Sequence, residues 1–393
     1  MRRLRTRRAT IALAAVGLAA STVIGQSALP GASADPSPNG GFTSSNVKHL
    51  KFVPFEVGTA TGARVVGHYL FVTSWKNISI YDIKDPLNPV NISITPIQPM
   101  FENEDVSTNG KILLFSESIP NDKLHVWDLQ DYAHPNEIAT LDGAGDHTTS
   151  CLFDCKYGWG SSGTVTDLRR VDSPKIIGNW AKDLPGKSIH DVTELTPGMV
   201  LTASQPFMLV DATKSVTKPK LVATGTSKDG RFIHSVLWPR QGKDKFLLIG
   251  GETNFNPRCN TTKESAHFMV WKAGDYKKTH KFEQTDQYTY QNGVYADGNP
   301  AVNGLGCSSH WFQPQPDFKD GGIVAVASYE NGTKFLMVDR QGKLHDVGWF
   351  EPFPGSESAA YWITKKIVYT IDYARGFDIL EYDGPTKPEQ LDK

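Results

Sequence analysis

His147, His190 and His234 stand 43 and 44 residues apart, and Glu104 precedes the first of them by 43. Their surroundings share a pattern of small polar residues leading into a short apolar strand: "NEDVSTNGKILLF", "DHTTSCLFDC", "SIHDVTEL" and "IHSVLWP". His310 in "SSHWFQP" and, within one residue, Glu357 in "SESAAYW" extend the series. With 11 histidines in 393 residues, four at one repeating position is far from scatter. Three chemistries suit such a column. The imidazoles and carboxylates can satisfy one another and buried water. They can line a metal-free polar pocket that recognises a ligand. Or His147, His190, His234 and His310 can bind one transition metal, with Glu104 and Glu357 beside it as outer or exchangeable ligands and as the catalytic carboxylates. The third reading is adopted. Four neutral imidazoles leave iron(II) two positions for dioxygen or substrate, and copper suits oxidative chemistry equally. Zinc, with Glu104 or Glu357 as general base, gives a hydrolase instead.

A column of this kind needs a scaffold that repeats. Seven segments share an apolar strand, then an Asp or a substitute, then a Pro- or Gly-bearing turn: "NISIYDIKDPLNP", "KLHVWDLQDYAHP", "TVTDLRRVDSP", "PFMLVDATKSVTKP", "HFMVWKAGDY", "TKFLMVDRQGK" and "FDILEYDGPTKP". The aligned positions are Asp82, Asp128, Asp167, Asp211, Lys272, Asp339 and Glu381. A period of this size with four strands per unit predicts an all-β, seven-bladed propeller over residues 47–384, with the column on the innermost strands around the central channel. The last repeat stops after its third strand, while "VKHLKFVPFEV" at 47–57 looks like the fourth strand of the others. The N-terminal strand is therefore expected to complete the last blade and close the ring.

The segments "GARVVGHYLFVTSWKNISIYDIKDPLNP" and "EDVSTNGKILLFSES…KLHVWDLQDYAHP" resemble the LVIVD-repeat family of bacterial propeller-type proteins. That resemblance implies the fold and leaves the activity open, since propellers host binding and catalysis alike. The histidine column is also similar to the four-histidine iron site of carotenoid-cleavage oxygenases, seven-bladed propellers with one iron. The surrounding motifs do not match, so a ligand arrangement is implied and a substrate is not.

The N-terminus reads as an export signal. "MRRLRTRRAT" is a basic region, "IALAAVGLAASTVIG" an apolar one, and "ASA" ends at Ala34. Residues 1–34 are expected to be a signal peptide, 35–46 a linker and 385–393 a C-terminal tail, giving a secreted protein. No later stretch is long and apolar enough to span a membrane. A formal net charge of -1 gives no basic patch for nucleic acid. The four cysteines fit an oxidising compartment, and the pairs expected are Cys151–Cys155 and Cys259–Cys307. "QYTYQNGVYADGNPAVNGLGC", before Cys307, is either a lid over the channel mouth or a stapled surface loop. The expectation is a secreted monomer acting oxidatively on a small-molecule substrate through iron or copper. The alternative is a non-catalytic propeller that binds an extracellular ligand or protein.

Overall fold

Each repeat becomes one four-stranded antiparallel sheet, and seven such sheets follow one another along the chain. The structure, a computed structural model, describes residues 41–55, 60–97, 104, 106–118, 121–227, 232–252, 267–288, 306–373 and 375–391. All fall in one unit, residues 33–393. Blades 1 to 6 span residues 60–96, 107–142, 149–179, 187–225, 232–287 and 312–352, and blade 7 begins at Glu357. The expected signal segment, Cys259 and most of the stretch before Cys307 lie outside the described residues.

The aligned aspartates are explained by local hydrogen bonding. Asp82, Asp128, Asp167 and Asp211 each end a third strand and Asp339 directly follows one, and the Oδ1 of each accepts the N–H two residues on, at 2.8–3.0 Å. Such a side-chain turn stops the strand and starts the reversal into the fourth. Where Lys272 replaces the aspartate, a short helix, Tyr276–Thr279, makes the reversal instead.

Blades stack face to face, so their middle strands are buried on both sides. That is why Phe246–Glu252 (FLLIGGE) and Gly322–Ala327 (GIVAVA) are nearly continuous apolar runs rather than alternating ones. The core is accordingly divided into seven clusters, one between each pair of neighbouring blades. Leu201, Phe207, Leu247 and Trp271 join blades 4 and 5. Tyr369 and Phe377 of blade 7 meet Leu70 and Tyr81 of blade 1.

Blade 7 is completed by Val47–Pro54, which pairs antiparallel with Gly376–Tyr382 from Val47 opposite Tyr382 to Pro54 opposite Gly376. The ring is thus closed by the N-terminal strand. Part of the expected linker is ordered: Gly41–Thr43 adds a fifth strand to blade 6, opposite Phe350–Pro352. All seven outer strands carry one surplus residue against the third strand: Leu50, Ile92, Ile138, Ile177, Val222, Thr285 and Val347. No helix among the described residues is long and apolar enough to cross a membrane.

Candidate metal centre in the channel

The histidine column is a column of irregularities in the inner strands. In blade 5, Ile233 pairs with Gly251 and Ser235 with Gly250, so His234 is the extra residue of a bulge. His190 falls where the blade 4 ladder breaks between Lys187 and Asp191. His147 and His310 stand just ahead of the inner strands Thr149–Leu152 and Phe312–Pro314. A bulge frees a residue from the ladder and re-aims its side chain, here into the channel.

The four imidazoles meet at Glu104. Nε2 of His147 and of His190 lie 2.9 and 3.1 Å from its Oε2. Nε2 of His234 lies 3.1 Å from Oε1, and Nε2 of His310 is in close contact with that oxygen. Nε2 of His147 and of His190 are 2.8 Å apart. Glu104, His190, His234 and His310 are buried, while His147 keeps 32% of its side chain exposed and marks the open side.

Burial alone would push the Glu104 carboxyl up, but His310, His234 and His190 outweigh it and hold the group well below the usual carboxylate range. Burial, with His190 and His310 nearby, holds His234 well below the usual imidazole range and keeps it neutral. Burial also disfavours charge on His310, yet Glu104 outweighs it and the value rises. His310 Nδ1–H donates to the Ser358 carbonyl at 2.6 Å, so Nε2 faces the carboxylate. A lone pair and a carboxylate oxygen in such close contact need a proton between them, or must part to admit a metal. Nδ1 of His190 and of His234 are buried with no hydrogen-bond partner.

Four further side chains surround the group. Glu252 brings a carboxylate to His190 and His234, their ligand atoms lying within 4.8 Å of one another. Tyr329 donates to Glu252 Oε1 at 2.7 Å and packs on the His310 ring. Tyr373 Oη stands 3.4 Å from Glu104 Oε1 and 3.3 Å from His310 Nε2. Trp311 lies edge-on to His234 at 5.1 Å. Glu252 had a signal, a charge closing the otherwise apolar strand "FLLIGGE"; the tyrosines had none, because they come from loops.

Glu357 does not join this group, which corrects the expectation that it stands beside the histidines. In blade 7 the ladder slips between Glu357 and Ala359, so the bulged residue is Ser358. Glu357 is one step off and faces the other way. Its Oε2 accepts from Thr370 Oγ1 at 2.5 Å, and its Oε1 is buried without a hydrogen-bond partner. Beside it, Asp372 accepts from Arg375 Nε at 2.9 Å. Asp378 accepts from Arg375 Nη2 at 2.8 Å and from His49 Nε2 at 2.7 Å. Burial, Asp378 and Asp372 push the Glu357 carboxyl well above its usual range.

Glu104 is also placed differently from an outer ligand: it sits at the centre of the imidazoles. The Cys151–Cys155 disulfide is present. Cys307 is disulfide-bonded, and Cys259 lies outside the described residues. Of the flanking acids, Asp146 accepts from Ser161, Ser162 and the His147 N–H, and Asp191 accepts from Ser150, so both hold the inner strands in place.

No protein-family model matches the chain, and no curated protein matches it significantly. Solved structures do share its fold. The WD40 repeats of RRP9 cover 86% of this chain with 98% of their own, at a TM-score of 0.57 and 9% identity. U3-55K covers 86% with 99% of its own, at 0.56 and 9%. The WD40 β-propeller domain of Doa1 covers 86% with 98% of its own, at 0.55 and 9%. At that identity the likeness is one of fold: the chain is similar to WD40 β-propellers and is itself a seven-bladed one.

Proposed function

We propose that this protein is an exported metal-dependent enzyme. Its channel holds a transition metal on His147, His190, His234 and His310 with Glu104, and it acts oxidatively on a small organic substrate. The observation that carries the reading is the convergence of four Nε2 atoms on one buried carboxylate. The donor set fits iron or copper, with imidazoles and a carboxylate, a neutral His234, and a His310 ring fixed through Nδ1 by a carbonyl, as metal-binding histidines are. Iron or copper held there would supply one-electron and dioxygen chemistry. The chain's own residues do the positioning. Trp311 and Tyr329 wall the histidines on the apolar side, and the exposed edge of His147 is the side from which a substrate enters. Tyr373 places a hydroxyl against both Glu104 and His310, where it can hand a proton to a bound group.

The zinc-hydrolase variant has less support. Glu104 is occupied by four imidazoles rather than free as a base, and Glu357 faces blade 7. The Cys151–Cys155 disulfide agrees with an extracellular site of action.

The test is the metal content of the purified protein, before and after stripping and reloading with iron, copper or zinc. His190→Ala is expected to lower occupancy while the β-sheet signal in circular dichroism is unchanged. A wild type that carries no metal and takes up none would make a non-catalytic binding propeller the better account.

A further inference from the structure

The two oxygens of Glu104 do not share their partners. Oε2 faces His147 and His190, from the adjacent blades 3 and 4. Oε1 faces His234 and His310, from the adjacent blades 5 and 6, and Tyr373 Oη lies 3.4 Å from the same oxygen. The histidines form an arc along one side of the channel, with ring centroids 4.5, 3.9 and 3.8 Å apart from His147 through His190 and His234 to His310. One ion about 2.0–2.2 Å from all four nitrogens would have to displace the carboxylate that they surround. Two ions ask for less: Glu104 with His147 and His190, and Glu104 with His234 and His310, each gather their ligand atoms within 4.8 Å of one another, and only His310 Nε2 and Oε1 have to part.

We propose that the channel holds two divalent transition-metal ions bridged by Glu104, one on His147, His190 and Oε2, the other on His234, His310 and Oε1. This rests on the metal reading above and adds a second ion to it. The charges agree. Two dications need more than one anion, and Glu252 supplies a second carboxylate at the seam, within reach of His190 and His234 from the two halves. A carboxylate spanning two ions about 3.5–4 Å apart is the usual bridge in two-metal sites. Tyr373 is a further oxygen donor for the half built on His234 and His310, with its Oη 3.3 Å from His310 Nε2.

The experiment is a titration of the full, chelator-stripped protein with Cu(II) and separately with Zn(II), followed by elemental analysis after desalting. Double integration of the Cu(II) electron paramagnetic resonance signal accompanies it. The expected result is two ions per chain and a copper signal well below the copper content, because carboxylate-bridged Cu(II) ions couple. His147→Ala is expected to bind one ion with a fully detectable signal. Glu104→Gln, which keeps the shape but not the bridging charge, is expected to lose the coupling. One ion per wild-type chain, with the full signal, would overturn the two-ion proposal and leave the metal reading standing. No bound ion would overturn both. The wild-type stoichiometry decides the matter even if a variant fails to fold.

Discussion

Two buried carboxylates, Glu104 ahead of blade 2 and Glu357 at the head of blade 7, stand in opposite electrostatic surroundings. Glu104 faces four imidazoles and is held well below its usual range. Glu357 faces Asp372 and Asp378 and is pushed well above it, even with Arg375 alongside. One cluster gathers ligands with lone pairs and an anion around a place for cations. The other gathers acids and answers them from the chain, with the Arg375 guanidinium and a hydrogen bond from His49. The difference teaches that repeat position alone does not make a functional residue. What lies across the ladder decides whether a buried charge is a site or a brace.

The comparison is broken most forcefully in blade 7. Asp378→Ala removes the acceptor of His49 Nε2 on the closing strand and of Arg375 Nη2, leaving Arg375 with Asp372 alone. Losing these two buried hydrogen bonds to a carboxylate costs about 3 kcal/mol. The expected outcome is a large drop in the urea midpoint with metal uptake per folded molecule unchanged. A channel change should do the reverse. His234→Ala is expected to lower metal affinity by about 100-fold or more while costing about 1–2 kcal/mol, read by competition with a chelating dye and by urea unfolding.

A finer contrast uses pH. Glu357 binds its proton more tightly in the folded chain than a free carboxyl does, so folding takes up a proton there. Its effect is therefore to lower stability as pH climbs past the free-carboxyl value of about 4.3, until the folded value is passed. The charges facing it are Asp372, Asp378 and Arg375, with His49 behind Asp378. Glu357→Gln is expected to flatten that slope in urea unfolding above about pH 5 and to leave metal binding alone. The smallest effect belongs to Tyr373→Phe. It is expected to keep the fold and lower metal affinity by about 10-fold at most, since the hydroxyl is one oxygen donor beside imidazoles and carboxylates that remain.

The architecture was legible because it is periodic. The apolar strand and its terminal aspartate recur, and each aspartate proves to make the same two-residue turn. The closing strand was legible from the missing fourth strand of blade 7. The histidines were legible as a column, since nothing else in the repeat explains an imidazole there. Glu357 was misplaced because a bulge shifts the register by one residue, and a bulge leaves no mark in composition. Ser358, the true occupant, is too ordinary to notice. Glu252, Tyr329 and Tyr373 reach the site from strand ends and loops, where no period points to them.

The surplus residue on every outer strand has a consequence for how copies of this protein behave when crowded. A ladder zips only where two strands keep step, and each rim strand falls out of step partway along its length. A neighbour's strand docking on that rim would lose register after a few residues, too soon to template a growing stack. The longest rim strand, Leu344–Pro352, runs furthest past its irregularity, and there the chain lays Gly41–Thr43 over the remainder. The propeller thus carries seven strand edges around its circumference and offers none of them as a seed for fibres.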